Sequence, residues 1–435
     1  ILRESTQAGH NLPMTTQSKA RHKSLHRALY KAPKAPKPLP IQEPWALLGG
    51  MSPVTFMQEY WQKKPLLVRG AIPAFQLARE SGLELESPIS MADLSDLARQ
   101  KTVESRLIQS KPWSLKKGPF KPKDIPPLKK DDWTLLVQGV NAHHPIAERV
   151  MSWFRFIPEA RLDDLMISIA GKHGGVGPHV DSYDVFLLQM AGRRHWKISG
   201  QKDLRLKEGL PLKILKHFEP TQDWVLEPGD MLYLPPNIAH DGLALDAGCQ
   251  TWSIGFRAPT YRELISEILW RTTEALENDP KLCQLYTDPK QPATLDTSTV
   301  PKDLVAAVSK HLNGLRWSDS DISCTLASIL SEPKPQTVFA VPENQLDLNS
   351  FKKMIAKQGL RLSPQSKALH DHDFFYLNGE SLSDSEESDW PFWLRLAQEQ
   401  SLSPAMCQKL VKLIKDVDSP WFEAYSSAWI LIDQD

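Results

Sequence analysis

Two short signatures, set far apart in a chain of 435 residues, constrain its fold more than anything else in it. The first is Gly177-Pro178-His179-Val180-Asp181; the second runs Glu227-Pro228-Gly229-Asp230-Met231-Leu232-Tyr233-Leu234-Pro235-Pro236 and is answered by His240, fifty-nine residues after Asp181. Residues i and i+2 of a strand share a face, so an H-x-D on a strand can grip one ion from one side of a sheet. The second segment has its own punctuation. A Pro-Gly turn, an apolar run of strand length and a Pro-Pro corner end the strand and deliver His240 from a set position. Two imidazoles and one carboxylate form the donor set of a facial triad, which leaves coordination positions open and suits non-haem Fe(II). An H-x-D alone is weak in a chain with 13 histidines; followed by P-G-D-x-L-x-x-P-P-x-x-x-H it is much stronger. Many short strands with turn residues between them, and ligands at strand ends, suit a jelly-roll or cupin barrel.

The residues around these ligands are also distinctive. Asp164-Leu165-Met166-Ile167-Ser168, Gly174-Gly175-Val176-Gly177-Pro178-His179, Tyr183-Asp184-Val185-Phe186 and Gly192-Arg193-Arg194-His195-Trp196 resemble the JmjC-type cupin core of the 2-oxoglutarate-dependent oxygenases. More narrowly, they resemble the bacterial ribosomal oxygenases, with similarity from about Trp45 to the C-terminus and densest between Asp163 and Arg257. The resemblance implies an α+β protein: a double-stranded β-helix core, a helical dimerisation block and a winged-helix-like module. It also implies Fe(II), with 2-oxoglutarate and O2 as co-substrates, and an arginine of large-subunit ribosomal protein sixteen as substrate. One departure is visible. Asn237 stands where the general second cupin motif carries glycine, and Asn tolerates the left-handed conformation better than most residues.

Strand parity supplies a co-substrate partner independently. Residues 185–190 and 193–198 read as two strands joined across Ala191-Gly192, and on the second Arg194 shares a face with Trp196 and Ile198. An arginine on an apolar face needs an anion. The distal carboxylate of 2-oxoglutarate fits a bidentate guanidinium, and the resemblance points to the same arginine; a buried ion pair with a protein carboxylate is the alternative. Ser168 and Ser253 are candidate hydroxyl contacts to co-substrate or substrate, or plain strand hydroxyls.

Composition agrees with a reducing cytoplasm. The formal charge is zero, and no apolar run approaches 18 residues. Cys249, Cys283, Cys324 and Cys407 are too dispersed for a disulfide frame, and none has C-x-x-C spacing. Residues 1–40 hold eight Lys or Arg against the single acid Glu4, with Pro33, Pro36, Pro38 and Pro40, so 1–44 is expected to be a disordered basic tail.

Four regions are expected: the tail 1–44, a catalytic domain over 45–258, a helical region over 259–331 and a C-terminal module over 337–435. Ser52-Pro53 reads as a helix start, Pro65–Arg69 and Trp133–Gln138 as strands, Lys-Pro-rich 111–130 as a surface loop, and Ala147–Phe154 as a helix. Thr260-Tyr261-Arg262-Glu263 is a capping box for a helix carrying Leu264, Ile265, Ile268 and Leu269. In resembling proteins this block forms a dimer interface. Beyond the linker at Glu332–Gln336, Ser350 is expected to cap a helix ending at Gly359. Asn378-Gly379 marks a hairpin, and Ser403-Pro404 opens a helix with Met406, Leu410, Leu413, Ile414 and Val417 on one face. Asp384, Glu386, Glu387 and Asp389 argue against DNA binding, since a wing that meets phosphate should be basic.

Three functions compete. A ribosomal-protein arginine hydroxylase is favoured; a histidyl hydroxylase or lysine demethylase acting on another protein is second. The third is a non-catalytic cupin scaffold, which an intact His179/Asp181/His240 set with Arg194 speaks against.

Overall fold

A computed structural model of the chain describes residues 40–83, 85–277, 279, 280, 282–371, 374–382 and 388–433. Most of the expected basic tail, residues 1–39, therefore lies outside the described residues, as do Asp384, Glu386 and Glu387. The chain divides into two compact units, residues 1–257 and 258–435.

The first unit begins with α1 (Pro53–Glu59), whose N-cap Ser52 accepts from the Thr55 amide, and β1 (Leu66–Val68). Then follow α2 (Pro73–Glu80), α3 (Met91–Ala98), β2 (Ser105–Ser110), β3 (Trp113–Lys117), β4 (Trp133–Val137) and α4 (Pro145–Ser152). The remaining strands are β5 (Leu162–Ala170), β6 (Val185–Ala191), β7 (Arg194–Ser199), β8 (Gln222–Leu226), β9 (Met231–Leu234), β10 (Ala239–Ala244) and β11 (Cys249–Phe256). They form an eight-stranded sheet, β1-β9-β6-β11-β5-β4-β2-β3, and a three-stranded sheet, β10-β7-β8.

Parity explains how the sheets pack. On the large sheet Trp252, Ile254, Phe186, Leu188 and Tyr233 face outward, into a core shared with Phe56, Phe75 and Leu94 of the helices. The opposite face carries Val185, Leu187, Leu232 and Leu234, which meet Trp196, Ile198 and Leu226 of the small sheet. With both faces covered, β4 and β9 are buried throughout and read as continuous apolar runs.

Two expectations for this unit need correction. Residues 111–130 are not all loop: β3 pairs with β2 from Ser110↔Trp113 to Arg106↔Lys117. β3 is an edge strand, where lysines and a neighbouring proline are tolerated and discourage further pairing. The H-x-D is not on a regular strand either. His179 makes a single antiparallel bridge with His240, between a glycine-rich loop and a bend at Ser182-Tyr183. Strands β6 and β7, adjacent in sequence, belong to different sheets, and Gly192 (φ 60°) turns the chain from one to the other.

The second unit opens with α5 (Tyr261–Leu276), capped by the Thr260/Glu263 box, then α6 (Lys302–Gly314) and α7 (Asp319–Ser331). There follow α8 (Leu348–Gln358), β12 (Leu360–Leu362), β13 (Ala368–His370), β14 (Phe375–Leu377), β15 (Glu380–Ser381) and α9 (Trp390–Glu399). β16 (Ser401–Leu402), α10 (Pro404–Leu410), α11 (Pro420–Ser426) and β17 (Ile430–Ile432) complete it. Helix α7 packs on β13 and β14, and the Gly379 amide donates to the Ser331 hydroxyl (3.1 Å). Asn378 (φ 55°) and Gly379 (φ 91°) form the hairpin turn between β14 and β15. Helix α8 is capped by Asp347, whose carboxylate accepts from the Ser350 amide, so Ser350 lies inside the first turn. Helix α10 stops at Leu410, which leaves Val417 exposed. Helix α9 has no counterpart in the sequence reading, yet it buries Trp393, which stacks on Trp421 at 3.5 Å between ring centroids. Among the described residues no helix is long and apolar enough to cross a membrane.

Candidate active site

The glycine-rich loop brings His179 to the end of β10. A Cβ on Gly175 would lie 2.7 Å from the Gly242 carbonyl oxygen, so only glycine lets the loop run this close to β10. His179 and His240 exchange backbone hydrogen bonds at 2.9 Å in both directions, and the Asn237 amide donates to the Asp181 carbonyl at 2.8 Å. Asn237 itself has φ 64°, the left-handed conformation expected of it at the corner. Two segments separated by more than fifty residues are thereby stitched together at the ligand positions.

The side chains converge. The ligating atoms of His179, Asp181 and His240 all lie within 4.8 Å of one another. The imidazoles are 4.2 Å apart between centroids, and His240 Nε2 is 3.7 Å from Asp181 Oδ2. His179 Nδ1 is 2.8 Å from the Gly177 carbonyl and His240 Nδ1 is 2.8 Å from the Ile238 carbonyl. A carbonyl only accepts, so each Nδ1 carries the proton and each Nε2 is left with a free lone pair, as a metal ligand requires. Burial, then the neighbouring His179, hold the His240 imidazole below the usual histidine range, against the pull of Asp181. The neutral form is the one that binds a cation. Two nitrogens and one carboxylate fit a divalent transition metal with open positions.

Arg194 lies on the inner face of β7 and is buried, at 4 % exposure. Its Nη1 donates to the Gly242 carbonyl at 3.2 Å, while Nε and Nη2 have no hydrogen-bond partner. Among the described residues it has no carboxylate partner, so the ion-pair alternative finds no support there. Arg193 is exposed, points out and binds the half-buried Asp246. A buried guanidinium with two unsatisfied donors is costly, and a bidentate anion would satisfy it.

Ser168 and Ser253 lie on the same inner face, on β5 and β11. Ser168 Oγ donates to the Thr251 carbonyl at 3.2 Å; Ser253 is buried opposite Leu187. Two features escaped sequence reading. Thr134 is 1 % exposed and its hydroxyl has no partner. It pairs with Ala170, which packs against Ala244, the cross-strand neighbour of Arg194. A threonine in an apolar strand carries no signal beyond β-propensity. The second feature surrounds Tyr183. Its phenol is pushed above the usual tyrosine range by desolvation first, then by Asp181, Asp164 and Asp163, with Arg106 acting the other way. Asp164 is buried and accepts from Gln138 Nε2 on both oxygens, at 3.0 and 2.9 Å.

A double-stranded β-helix with a His-Asp-His cluster at one end and a buried arginine between its sheets has the architecture of a JmjC-type cupin domain. Known proteins bear this out. A JmjC-domain family model matches residues 149–264, and a ROXA-like winged-helix model matches residues 314–419. The chain is 42% identical over 216 residues to the ribosomal protein uL16 3-hydroxylase of Escherichia coli, a match covering 48% of this chain and 54% of that protein. It is 29% identical over 403 residues to a probable ribosomal oxygenase of Haemophilus influenzae, covering 85% of this chain and 96% of that one. The X-ray structure of E. coli ycfD superposes with a TM-score of 0.71 at 28% identity, over 87% of this chain and 97% of that chain. A structure of the same ribosomal oxygenase in complex with cobalt and 2-oxoglutarate superposes with a TM-score of 0.68 at 28% identity, over 88% and 98%. The chain is therefore similar to the ribosomal oxygenases and carries a JmjC-domain match over residues 149–264, while its sequence match spans about half the length of the E. coli hydroxylase.

Proposed function

We propose that this protein is an Fe(II)- and 2-oxoglutarate-dependent hydroxylase acting on an arginine side chain of ribosomal protein uL16, at the β-carbon. The observation that carries the reading is Arg194: a buried guanidinium with free donors, on the inner face that also holds the His-Asp-His cluster. In this reading His179 Nε2, His240 Nε2 and an Asp181 oxygen hold the metal. Arg194 binds the distal carboxylate of 2-oxoglutarate, with Thr134, Ser168 and Ser253 as candidate hydroxyl contacts. Bound iron, 2-oxoglutarate and O2 together would supply an oxidant able to hydroxylate an unactivated carbon. The chain's own part is to fix the co-substrate and exclude water behind Trp196 and Ile198. The choice of arginine over histidine rests on the similarity to the uL16 hydroxylase, and the scaffold reading does not account for Arg194. Such a substrate belongs to the cytoplasm.

A homodimer is part of the proposal. Helix α5 leaves Tyr261, Ile265, Leu269 and Trp270 exposed, an apolar stripe that invites burial against a second copy. Of the residues expected at that contact, Leu264 and Ile268 are half-buried, and Leu269 is exposed.

The test is direct. Purified protein incubated with Fe(II), 2-oxoglutarate and uL16 peptides is analysed by tandem mass spectrometry. One added oxygen on a single arginine supports the proposal; addition on histidine or loss of methyl groups from lysine moves the protein to the second reading. Succinate formation without a modified peptide would reject uL16 as the substrate.

A further inference from the structure

Asp184 is a carboxylate with no exposed surface, three residues beyond Asp181, and the chemistry proposed above makes no use of it. Burying a carboxylate is expensive unless its oxygens are well bonded, and these are. Oδ1 accepts from the Tyr233 hydroxyl at 2.6 Å and Oδ2 from Gln62 Nε2 at 3.0 Å, with Arg161 Nη2 at 3.8 Å. Tyr233 is itself fully buried, against Phe56, Trp61 and Phe186. Its hydroxyl accepts from the Gln62 backbone amide at 2.8 Å. Gln62 therefore donates to the cluster from both backbone and side chain, and it does so at φ 57°, a left-handed conformation unusual for a residue with a side chain.

The placement of this cluster gives it meaning. Strands β6 and β9 pair through Phe186↔Tyr233 and Val185↔Leu234. The next pair in register would set Asp184 opposite Pro235, which has no N–H to offer, so the ladder stops there. Asp184 continues the segment that holds His179 and Asp181; Tyr233 lies on the strand that leads through the Pro-Pro corner to His240. The Asp184–Tyr233 bond ties these two segments together just where backbone pairing gives out.

We propose that Asp184, held by Tyr233 and Gln62, is a positioning residue that sets how the His179/Asp181 segment lies against the strand delivering His240, and so tunes metal affinity. The inference rests on the metal site proposed above. Cobalt(II) is the probe, titrated into metal-free full-length protein by calorimetry, with the visible absorption of the bound ion recorded alongside. Tyr233→Phe, which removes one hydroxyl, should weaken Co(II) binding about tenfold or more and shift the cobalt absorption, at unchanged far-ultraviolet circular dichroism. Asp184→Asn should act in the same direction. At saturating Co(II), 2-oxoglutarate affinity should move less than metal affinity does. Unchanged cobalt affinity and spectrum in Tyr233→Phe would overturn the proposal, whatever its melting temperature, because a merely structural role lowers stability alone. If Asp184→Asn does not fold, Tyr233→Phe decides. Wild-type protein that binds no Co(II), or His179→Ala that binds it as well as wild type, would instead overturn the metal-site reading and this inference with it.

Discussion

Replacing His179 or His240 with alanine removes an imidazole whose Nδ1 is tied to a backbone carbonyl 2.8 Å away, so the backbone pairing around it should persist. We expect either variant to lose Fe(II)-dependent succinate formation while keeping a wild-type circular dichroism spectrum; retained turnover would refute the ligand assignment. Asp181→Ala should also inactivate, since it removes the anionic donor. Arg194 is separable from these. Its Nε and Nη2 are buried without partners, so Arg194→Met should leave the melting temperature of the ligand-free protein equal or higher. The same variant should raise the 2-oxoglutarate requirement roughly ten- to a hundred-fold, from the loss of about 1.5–3 kcal/mol of charge-assisted bonding. Arg193→Ala, which removes only an exposed pair with Asp246, should alter neither by much. Parity assigned these adjacent arginines to opposite faces because the period of a strand is two. No sequence rule could say that Arg194 would lack a carboxylate, since that depends on everything packed around it.

At the scale of elements, the corner before His240 is the sensitive joint. Asn237 adopts φ 64° while its amide holds the Asp181 carbonyl. Asn237→Gly should therefore be close to neutral, whereas Asn237→Val should cost about 1–2 kcal/mol and lower the melting temperature by several degrees. Equal melting temperatures for the two would contradict the left-handed geometry. The caps at Ser52 and Thr260 and the Asn378-Gly379 turn were legible because each is a contact between near neighbours along the chain. Strand β3 and helix α9 were not. β3 is identified by its partner β2 rather than by its own lysine-rich residues, and α9 buries Trp393 against Trp421, a residue outside the helix.

Across the whole molecule, the exposed stripe on α5 is the feature that solution behaviour should reveal. Tyr261, Ile265 and Leu269 recur every fourth residue, and none is covered within its own unit. Light scattering at micromolar concentration should return about twice the 49.2 kDa chain mass. Leu269→Arg should yield folded monomers, because Leu269 contributes little to its own unit's core. A monomeric wild type, or a Leu269→Arg protein that stays dimeric, would rule the stripe out as the interface.

The sequence by itself determined the donor types and their spacing, the face on which Arg194 lies, and the helix caps and turns. Each follows from covalent geometry or from contacts a few residues apart. The tertiary structure decided what those rules cannot reach: that His179 bridges to His240, that Thr134 and Arg194 flank the same small-residue patch, and that Asp184 meets Tyr233 and Gln62. These partners lie 49 to 122 residues apart for Asp184 alone. Whether such groups meet depends on the closure of long loops and on how two sheets fill the space between them, and both are set by the packing of the entire core.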